Sequence, residues 1–188
     1  MSTSIEPPQR NALEKIEQEF RDRIATSDYE PSVFEQAILP YLSGEVLDLG
    51  CGLGILALAA AERGCRVVAL DASPTAIADL ARRARERRLA IEAHTADLRH
   101  YVPGAQYDCV VALGLLDQLP AGEARGLFAR LREAVRLGGL AAFSVLVEGA
   151  HGGDMLSHGF AGWEPVLTRH DGRALLARRP ATPCSDFR

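Results

Sequence analysis

The sequence lacks closely paired cysteines, and its four cysteines lie far apart along the chain, at Cys51, Cys65, Cys109 and Cys184. Zinc sites and redox motifs draw on closely spaced cysteines or histidines, so this spacing argues against both. Three of the four lie in apolar or glycine-rich runs, a setting typical of reduced and partly buried thiols. We therefore expect reduced cysteines and no metal site.

Long apolar segments and an excess of basic charge are also missing. No uninterrupted apolar run reaches the ~20 residues that a membrane-spanning helix needs, and the opening MSTSIEPPQR has no apolar signal core. The formal net charge is −4, whereas nucleic-acid-binding proteins usually present a basic face. We expect a cytoplasmic protein whose partners include neither a membrane nor a nucleic acid.

The chain length of 188 residues fits one domain. Residues 1–8 are predicted to be disordered and residues 180–188 to form a loose tail. The domain then covers residues 9–179 and begins with two helices within residues 9–42, because apolar residues recur there every three or four positions, at Leu13, Ile16, Phe20 and Ile24.

Beyond these helices, apolar strands alternate with helices. Strands are predicted at residues 45–49, 65–70, 90–95, 107–113 and 140–147, and helices at residues 55–63, 74–88 and 121–137. Continuous apolar strands separated by helices indicate a parallel sheet covered on both faces. Two further strands flank Asp171 and Gly172, a strong hairpin signal, so the α/β sheet ends in an antiparallel hairpin.

The arginine-rich stretch over residues 81–89 is predicted to be a solvated helix face rather than a nucleic-acid contact. The buried stripe of that helix consists of Ile77, Leu80, Ala81 and Ala84, which leaves the arginines largely on the exposed side.

The turn after the first strand, within VLDLGCGLG, is where a ligand should bind, because parallel α/β sheets place ligands at the carboxyl ends of their strands. Gly50, Gly52 and Gly54 do not have the Gly-x-Gly-x-x-Gly spacing of dinucleotide sites. Asp48 would also repel a pyrophosphate, by roughly 4 kcal/mol at ~4 Å and an effective dielectric near 20. The turn therefore favours a cationic or zwitterionic ligand.

Two further acids extend this interpretation. Asp71 ends the second strand, where an acidic residue accepts hydrogen bonds from ribose hydroxyls. Asp97 follows the third strand and can reach an exocyclic amine. A ligand with a positive group, a ribose and an adenine but no phosphate is S-adenosylmethionine.

Five segments in this order resemble a class I S-adenosylmethionine-dependent methyltransferase over residues 30–179: VLDLGCGLG, Asp71 after RVVAL, Ala96-Asp97-Leu98, YDCVVALGLLDQLP and LGGLAAFSVLV. The resemblance implies a Rossmann-like three-layer sandwich with a seven-stranded, mostly parallel sheet. It also implies a cofactor site formed by Asp48, Gly50, Cys51, Gly52, Asp71, Ala72, Asp97, Leu98, Leu113 and Gly114.

A more specific resemblance, to the small tellurite-resistance-type methyltransferases, comes from SDYEPS and FAGWEPVLTRH. Those proteins act on oxyanions or small thiol-type acceptors. Most of the helix that usually precedes the Gly-Trp-Glu element is missing here. The acceptor pocket should then be smaller, more open, or completed by a second subunit of a homodimer.

Candidates for contact with the acceptor lie at the mouth of this site, in the glycine-rich segment and at the hairpin: Asp117, His151, His158, Arg169 and His170. Strand alternation puts Arg169 and His170 on opposite faces, so at most one of them points inward. Tyr29 is a candidate for the carboxylate end of the cofactor, and Trp163 is expected to pack.

The favoured hypothesis is methyl transfer to a small-molecule acceptor such as a thiol, a chalcogen oxyanion or another metabolite. One alternative is a non-catalytic S-adenosylmethionine-binding regulatory or partner subunit. A nicotinamide-dependent oxidoreductase is the other alternative, and both the glycine spacing and Asp48 disfavour it.

Overall fold

The computed structural model describes residues 7–27, 29–145, 155–156, 158–169, 171 and 173–182. Its helices are α1 (Pro7–Thr26), α2 (Val33–Ile38), α3 (Ile55–Glu62), α4 (Pro74–Arg87) and α5 (Ala121–Glu133). The strands are β1 (Glu45–Leu49), β2 (Arg66–Asp71), β3 (Ile91–Thr95), β4 (Tyr107–Leu113), β5 (Val135–Ser144), β6 (Glu164–Thr168) and β7 (Ala174–Arg178).

The seven strands form one sheet in the order β3-β2-β1-β4-β5-β7-β6. The first five pair in parallel, whereas β7 pairs antiparallel with both β5 and β6. The strand order reverses between β1 and β4, and such a switch point leaves a crevice at the carboxyl ends of the strands. The predicted fold class, with its seven strands and terminal antiparallel hairpin, is confirmed.

Helices cover both faces of the sheet, which gives the three layers. Side chains of α2, α3 and α4 pack on one face, in a cluster that includes Ile38, Ala57 and Leu80. Side chains of α5 pack on the other face, where Leu127 and Phe128 are buried. Helix α1 lies outside the first layer and packs against α4.

The start of α1 differs from the prediction. Pro7 and Pro8 lie inside α1, although the sequence predicts disorder through residue 8. The first turn of a helix tolerates proline because its backbone N–H groups have no intrahelical acceptor. The rest of that prediction, residues 1–6, lies outside the described residues, as do residues 183–188 of the predicted tail.

Helix α5 is shorter than predicted, and β5 begins earlier. The helix ends at Glu133 rather than near residue 137, and Val135 already pairs with Tyr107 of β4. The strand register shifts between Tyr107 and Cys109, and Gly139 sits where a Cβ would lie 2.7 Å from the carbonyl oxygen of Asp108. Gly138 and Gly139 thus lie within β5, at the irregularity in its pairing with β4, and do not end the helix.

The arginines of the basic stretch are exposed, as the helix pattern predicts, with one exception. Arg83 is only 6% exposed and forms an ion pair with Asp79 at 2.8 Å. Its guanidinium also donates to the carbonyl oxygen of Leu53, in the glycine turn. Arg83 therefore links α4 to the turn rather than facing solvent.

None of the helices in the described part of the chain is long and apolar enough to cross a bilayer.

Candidate functional site

The glycine turn after β1 is held in shape by backbone hydrogen bonds. The N–H groups of Gly50 and Cys51 donate to the carbonyl oxygen of Leu70 at 2.8 and 3.1 Å. Gly54 has a φ of 65°, and a Cβ there would lie 2.5 Å from the Leu80 side chain. Only glycine fits at this position, because the left-handed conformation and the contact with α4 both exclude a side chain. The turn leads directly into the N-terminus of α3.

Asp71 connects this turn to the end of β2. Its carboxylate accepts from the Gly52 N–H at 2.8 Å and from the Ser73 N–H at 2.8 Å. Burial raises the pKa of Asp71, although these backbone hydrogen bonds act in the opposite direction. Asp71 is therefore a rigid acceptor at the rim of the turn, where the sequence predicts a ribose contact.

Asp48 is a carboxyl buried in the centre of the sheet. It is 5% exposed and lies in β1 between Ala69 of β2 and Val111 of β4. Burial raises its pKa to about 7, and the negative charges of Glu35 and Asp71 act in the same direction. A cation bound beside Asp48 would favour the ionised form of this carboxyl.

The remaining residues predicted at the cofactor site lie at the same end of the sheet. Leu98 is buried, Ala72 is exposed, and the Gly114 N–H donates to the Ser144 carbonyl oxygen at 3.0 Å. Asp97 is half exposed and ion-paired with Arg99, whose hydrogen bond lowers the pKa of that carboxyl. Burial raises the pKa of the Cys51 thiol well above its ordinary value, which keeps the thiol neutral.

Helix α1 covers the glycine turn. The ring of Phe20 packs so closely on Gly52 that a Cβ there would lie 3.3 Å from it. The Glu17 carboxylate accepts a hydrogen bond from the Thr75 hydroxyl, and its other oxygen is buried without a hydrogen-bond partner among the described residues. Burial opposes ionisation of Glu17, but hydrogen bonds from Ser73 and Thr75 outweigh it and lower the pKa.

Glu17→Gln is expected to loosen α1, because a neutral amide accepts the Thr75 hydrogen bond less strongly than a carboxylate does. Backbone amides of α1 should exchange with deuterium about 10-fold faster than in the parent protein. Glu19→Gln, on the exposed side of the same helix, is the control and should change nothing. Unchanged exchange in Glu17→Gln would show that Glu17 does not hold α1 in place.

A cleft of about 790 Å³ opens beside the turn, at the ends of β4, β5 and β6. A smaller cavity of about 290 Å³ lies directly over the turn and is lined by residues 50–53. Three residues line both of them: Arg23, Ser32 and Glu35. The shared wall means that a ligand on the turn and a ligand in the cleft would meet at these side chains.

Helix α2 supplies most of this shared wall through its capping box. The Ser32 hydroxyl accepts from the Glu35 N–H at 3.2 Å, and the Glu35 carboxylate accepts from the Ser32 N–H at 2.7 Å. These reciprocal bonds fix both side chains at the start of the helix. Glu35 is the one acidic side chain among the described residues that line the cleft.

Of the residues predicted to contact an acceptor, Arg169 lines the cleft. Asp117 lies in a short 3-10 turn, Leu116–Gln118, from which Gln118 rather than Asp117 reaches the cleft. His158 is exposed and is not part of the cleft wall. His151 and His170 lie outside the described residues.

Tyr29 lies beside α4 rather than over the turn. Its hydroxyl donates to Asp79 at 3.3 Å, and the Arg83 guanidinium stacks on its ring at 4.0 Å. Trp163 packs edge-to-face on Phe160, as expected of a packing residue. The described residues contain no cluster of three His, Cys, Asp or Glu side chains suited to a metal ion.

Sequence reasoning missed Arg23, Ser32 and Glu35 as site residues. The Ser-x-x-Glu spacing of the capping box is visible in the sequence and marks a helix start, but not what that helix faces. Arg23 belongs to the polar side of α1 in the helical pattern, so periodicity alone assigns it to solvent. Only the packing of α1 and α2 over the sheet brings these residues to the cleft.

The comparisons with known proteins agree with this geometry. Residues 46–139 match a family model described as a methyltransferase domain. The fold superposes on TehB from Haemophilus influenzae with a TM-score of 0.68 at 19% identity, over 79% of this chain and 62% of that one. The N-methyltransferase NodS from Bradyrhizobium japonicum, in complex with S-adenosyl-L-homocysteine, gives 0.67 at 18% identity, over 88% and 98%. At such identities these two likenesses concern the fold.

The chain is also similar in sequence to part of a larger protein. Ribosomal protein L11 methyltransferase from Shewanella pealeana is 37% identical over 111 residues, which make up 58% of this chain and 36% of that protein. The chain thus spans about a third of the length of this curated relative.

Proposed function

Since the chain belongs to the methyltransferase domain family, we propose that it transfers the methyl group of S-adenosylmethionine to a small-molecule acceptor bound in the cleft beside the glycine turn. The predicted resemblance to class I S-adenosylmethionine-dependent methyltransferases is confirmed, with TehB among the structural neighbours. S-adenosylmethionine is the cofactor of this family, and the buried Asp48 carboxyl fits its positive charge.

The cofactor residues that we propose are those predicted from the sequence, with additions from α1 and α2. Asp71 would accept from the ribose hydroxyls, while Leu98 and Asp97 would hold the adenine. Gly50, Cys51 and Gly52 would let the backbone approach the methionine part. Arg23 lines the cavity over the turn and is our candidate for the cofactor carboxylate, in place of Tyr29, whose hydroxyl is bonded to Asp79.

The main support for this proposal is that Arg23, Ser32 and Glu35 line both the turn cavity and the cleft. A bound S-adenosylmethionine supplies an activated methyl group on a sulfonium, ready for in-line displacement by an acceptor lone pair. The chain then needs chiefly to orient the acceptor and exclude water, and orientation alone can contribute ~7–11 kcal/mol. Glu35, in the shared wall, is placed to take a proton from an acceptor that carries one.

A small-molecule acceptor suits the cleft better than a folded protein. Its volume of about 790 Å³ falls within the range of small-molecule sites. Helices and strand ends surround it, and apolar side chains such as Phe34 and Leu113 alternate with a few polar ones. A thiol, a chalcogen oxyanion or another small metabolite fits these walls. The relative named for ribosomal protein L11 makes a protein acceptor the alternative to test.

The experiment that tests the proposal is release of S-adenosylhomocysteine across a panel of thiols, chalcogen oxyanions, phenols, amines and ribosomal protein L11. We expect turnover with at least one small molecule and none with the protein. Cofactor binding without turnover on any acceptor would favour the non-catalytic alternative.

The three described cysteines are unpaired, which supports the predicted cytoplasmic location. The predicted homodimer stays a prediction.

A further inference from the structure

The cleft has two unlike ends. At the β4 end, Gly114 and the shared wall of Arg23, Ser32 and Glu35 adjoin the glycine turn. At the β6 end, Thr168 and Arg169 close the cleft beside the hairpin. Since β4 and β6 are three strand positions apart in the sheet, these two ends lie about 14 Å apart.

Charge differs between the two ends. The turn end of the cleft carries one carboxylate, Glu35, and one guanidinium, Arg23, so it has no net charge. The hairpin end carries Arg169, whose guanidinium contacts Asp171 at 2.9 Å, and Arg173 shares the same carboxylate at 3.6 Å. Two guanidinium groups on one carboxylate leave a net positive charge at that end. A guanidinium has five N–H donors, so Arg169 can bind a further anion while it contacts Asp171.

Apolar side chains line the cleft between these ends. Val145 follows β5, Leu167 belongs to β6, and Phe34 and Ala37 belong to α2. This middle section would take up an apolar chain or ring of the acceptor. The polar groups that fix its orientation are then confined to the two ends.

We infer that the acceptor is an elongated, amphipathic molecule with an anionic group of the carboxylate class, which binds Arg169 while the atom to be methylated lies at Glu35, at the other end of the cleft. This inference rests on the proposed function and adds the length and charge of the acceptor. It assigns Arg169 to acceptor specificity, with no part in holding the cofactor.

Calorimetry on the complex with S-adenosylhomocysteine tests this inference with acetate, hexanoate, octanoate and the corresponding primary amides. The acid-to-amide affinity ratio separates the charge contribution from the apolar one, because both members of a pair bury the same chain. We expect octanoate and hexanoate to bind about 10-fold more tightly than their amides, the effect of one charge-assisted hydrogen-bonded contact. Acetate, which cannot span the apolar section, should bind more weakly than either.

Arg169→Gln should abolish the preference for the acid and leave S-adenosylhomocysteine affinity unchanged. Arg178→Gln, on the same hairpin but ion-paired with Glu164 and outside the cleft wall, is the matched control and should keep the preference. Equal binding of acid and amide, no detectable binding of octanoate, or an acid preference that survives in Arg169→Gln would each overturn the inference. Turnover of short uncharged thiols by both forms would overturn it and leave the proposed function standing.

Discussion

Asp48→Asn is expected to make the unliganded protein more stable at alkaline pH while it weakens S-adenosylmethionine binding. The folded-state pKa of Asp48 is raised by burial from 3.8 to about 7, so the folded protein retains a proton that the unfolded chain has released. Stability is therefore lost as pH rises from 3.8 towards 7, and the full loss persists above pH 7. Its size is on the order of 4 kcal/mol, because each tenfold change in proton affinity corresponds to about 1.4 kcal/mol.

Chemical denaturation of the two forms at about pH 5 and about pH 8.5 measures this effect. The gain from Asp48→Asn should be larger at the higher pH. Asp108→Asn is a control of opposite sign, because a hydrogen bond from the Glu45 N–H and the Arg136 guanidinium lower the pKa of Asp108. That substitution should reduce stability at the higher pH. A stability difference between parent and Asp48→Asn that does not vary with pH would contradict the account of Asp48.

Asp71→Ala is expected to remove most of the cofactor affinity, with a loss of about 100-fold or more. The substitution deletes the proposed ribose acceptor and also leaves the N–H groups of Gly52 and Ser73 without their bonded oxygens. Hydrogen bonds to a charged group contribute about 1.5–3 kcal/mol each, so loss of the bonds from the two ribose hydroxyls accounts for a change of that size. Calorimetric titration with S-adenosylhomocysteine measures it.

Asp71→Asn separates the two contributions of this carboxylate. The amide retains one acceptor oxygen, so it can still accept from the Gly52 N–H and keep the turn in place. Its affinity should fall between that of the parent and that of Asp71→Ala. Parent-like affinity in Asp71→Ala would show that neither the ribose contact nor the support of the turn depends on Asp71.

Much of the fold follows from local sequence signals. The apolar runs of β1, β2 and β4 indicate buried strands, and Ser73 and Pro74 mark the start of α4, where the Ser73 hydroxyl accepts from the Ala76 N–H. The boundary between α5 and β5 could not be predicted in this way. Pairing of Val135 with Tyr107 overrides the helical periodicity around it, and such pairing depends on a strand distant in sequence.

The residues of the candidate site also differ in whether local sequence patterns could place them. Asp48, Asp71 and the glycines lie where the sequence pattern places them in the fold, near the ends of β1 and β2 and in the turn after β1, and their contacts with the cofactor stay a prediction. The shared wall of Arg23, Ser32 and Glu35 depends on how α1 and α2 pack over the sheet, and local patterns carry no information about that packing. Arg83 escaped prediction for the same reason, since its burial depends on the turn that it contacts.

The turn around Asp48 is proposed to bind a positively charged cofactor without a phosphate group. Parallel calorimetric titrations with S-adenosylmethionine, S-adenosylhomocysteine and NAD measure this selectivity. At about pH 8.5, above the Asp48 pKa of about 7, we expect binding of the first two and no binding of NAD, because the ionised carboxylate would repel a pyrophosphate. Tight binding of NAD with no response to either S-adenosyl compound would contradict this proposal.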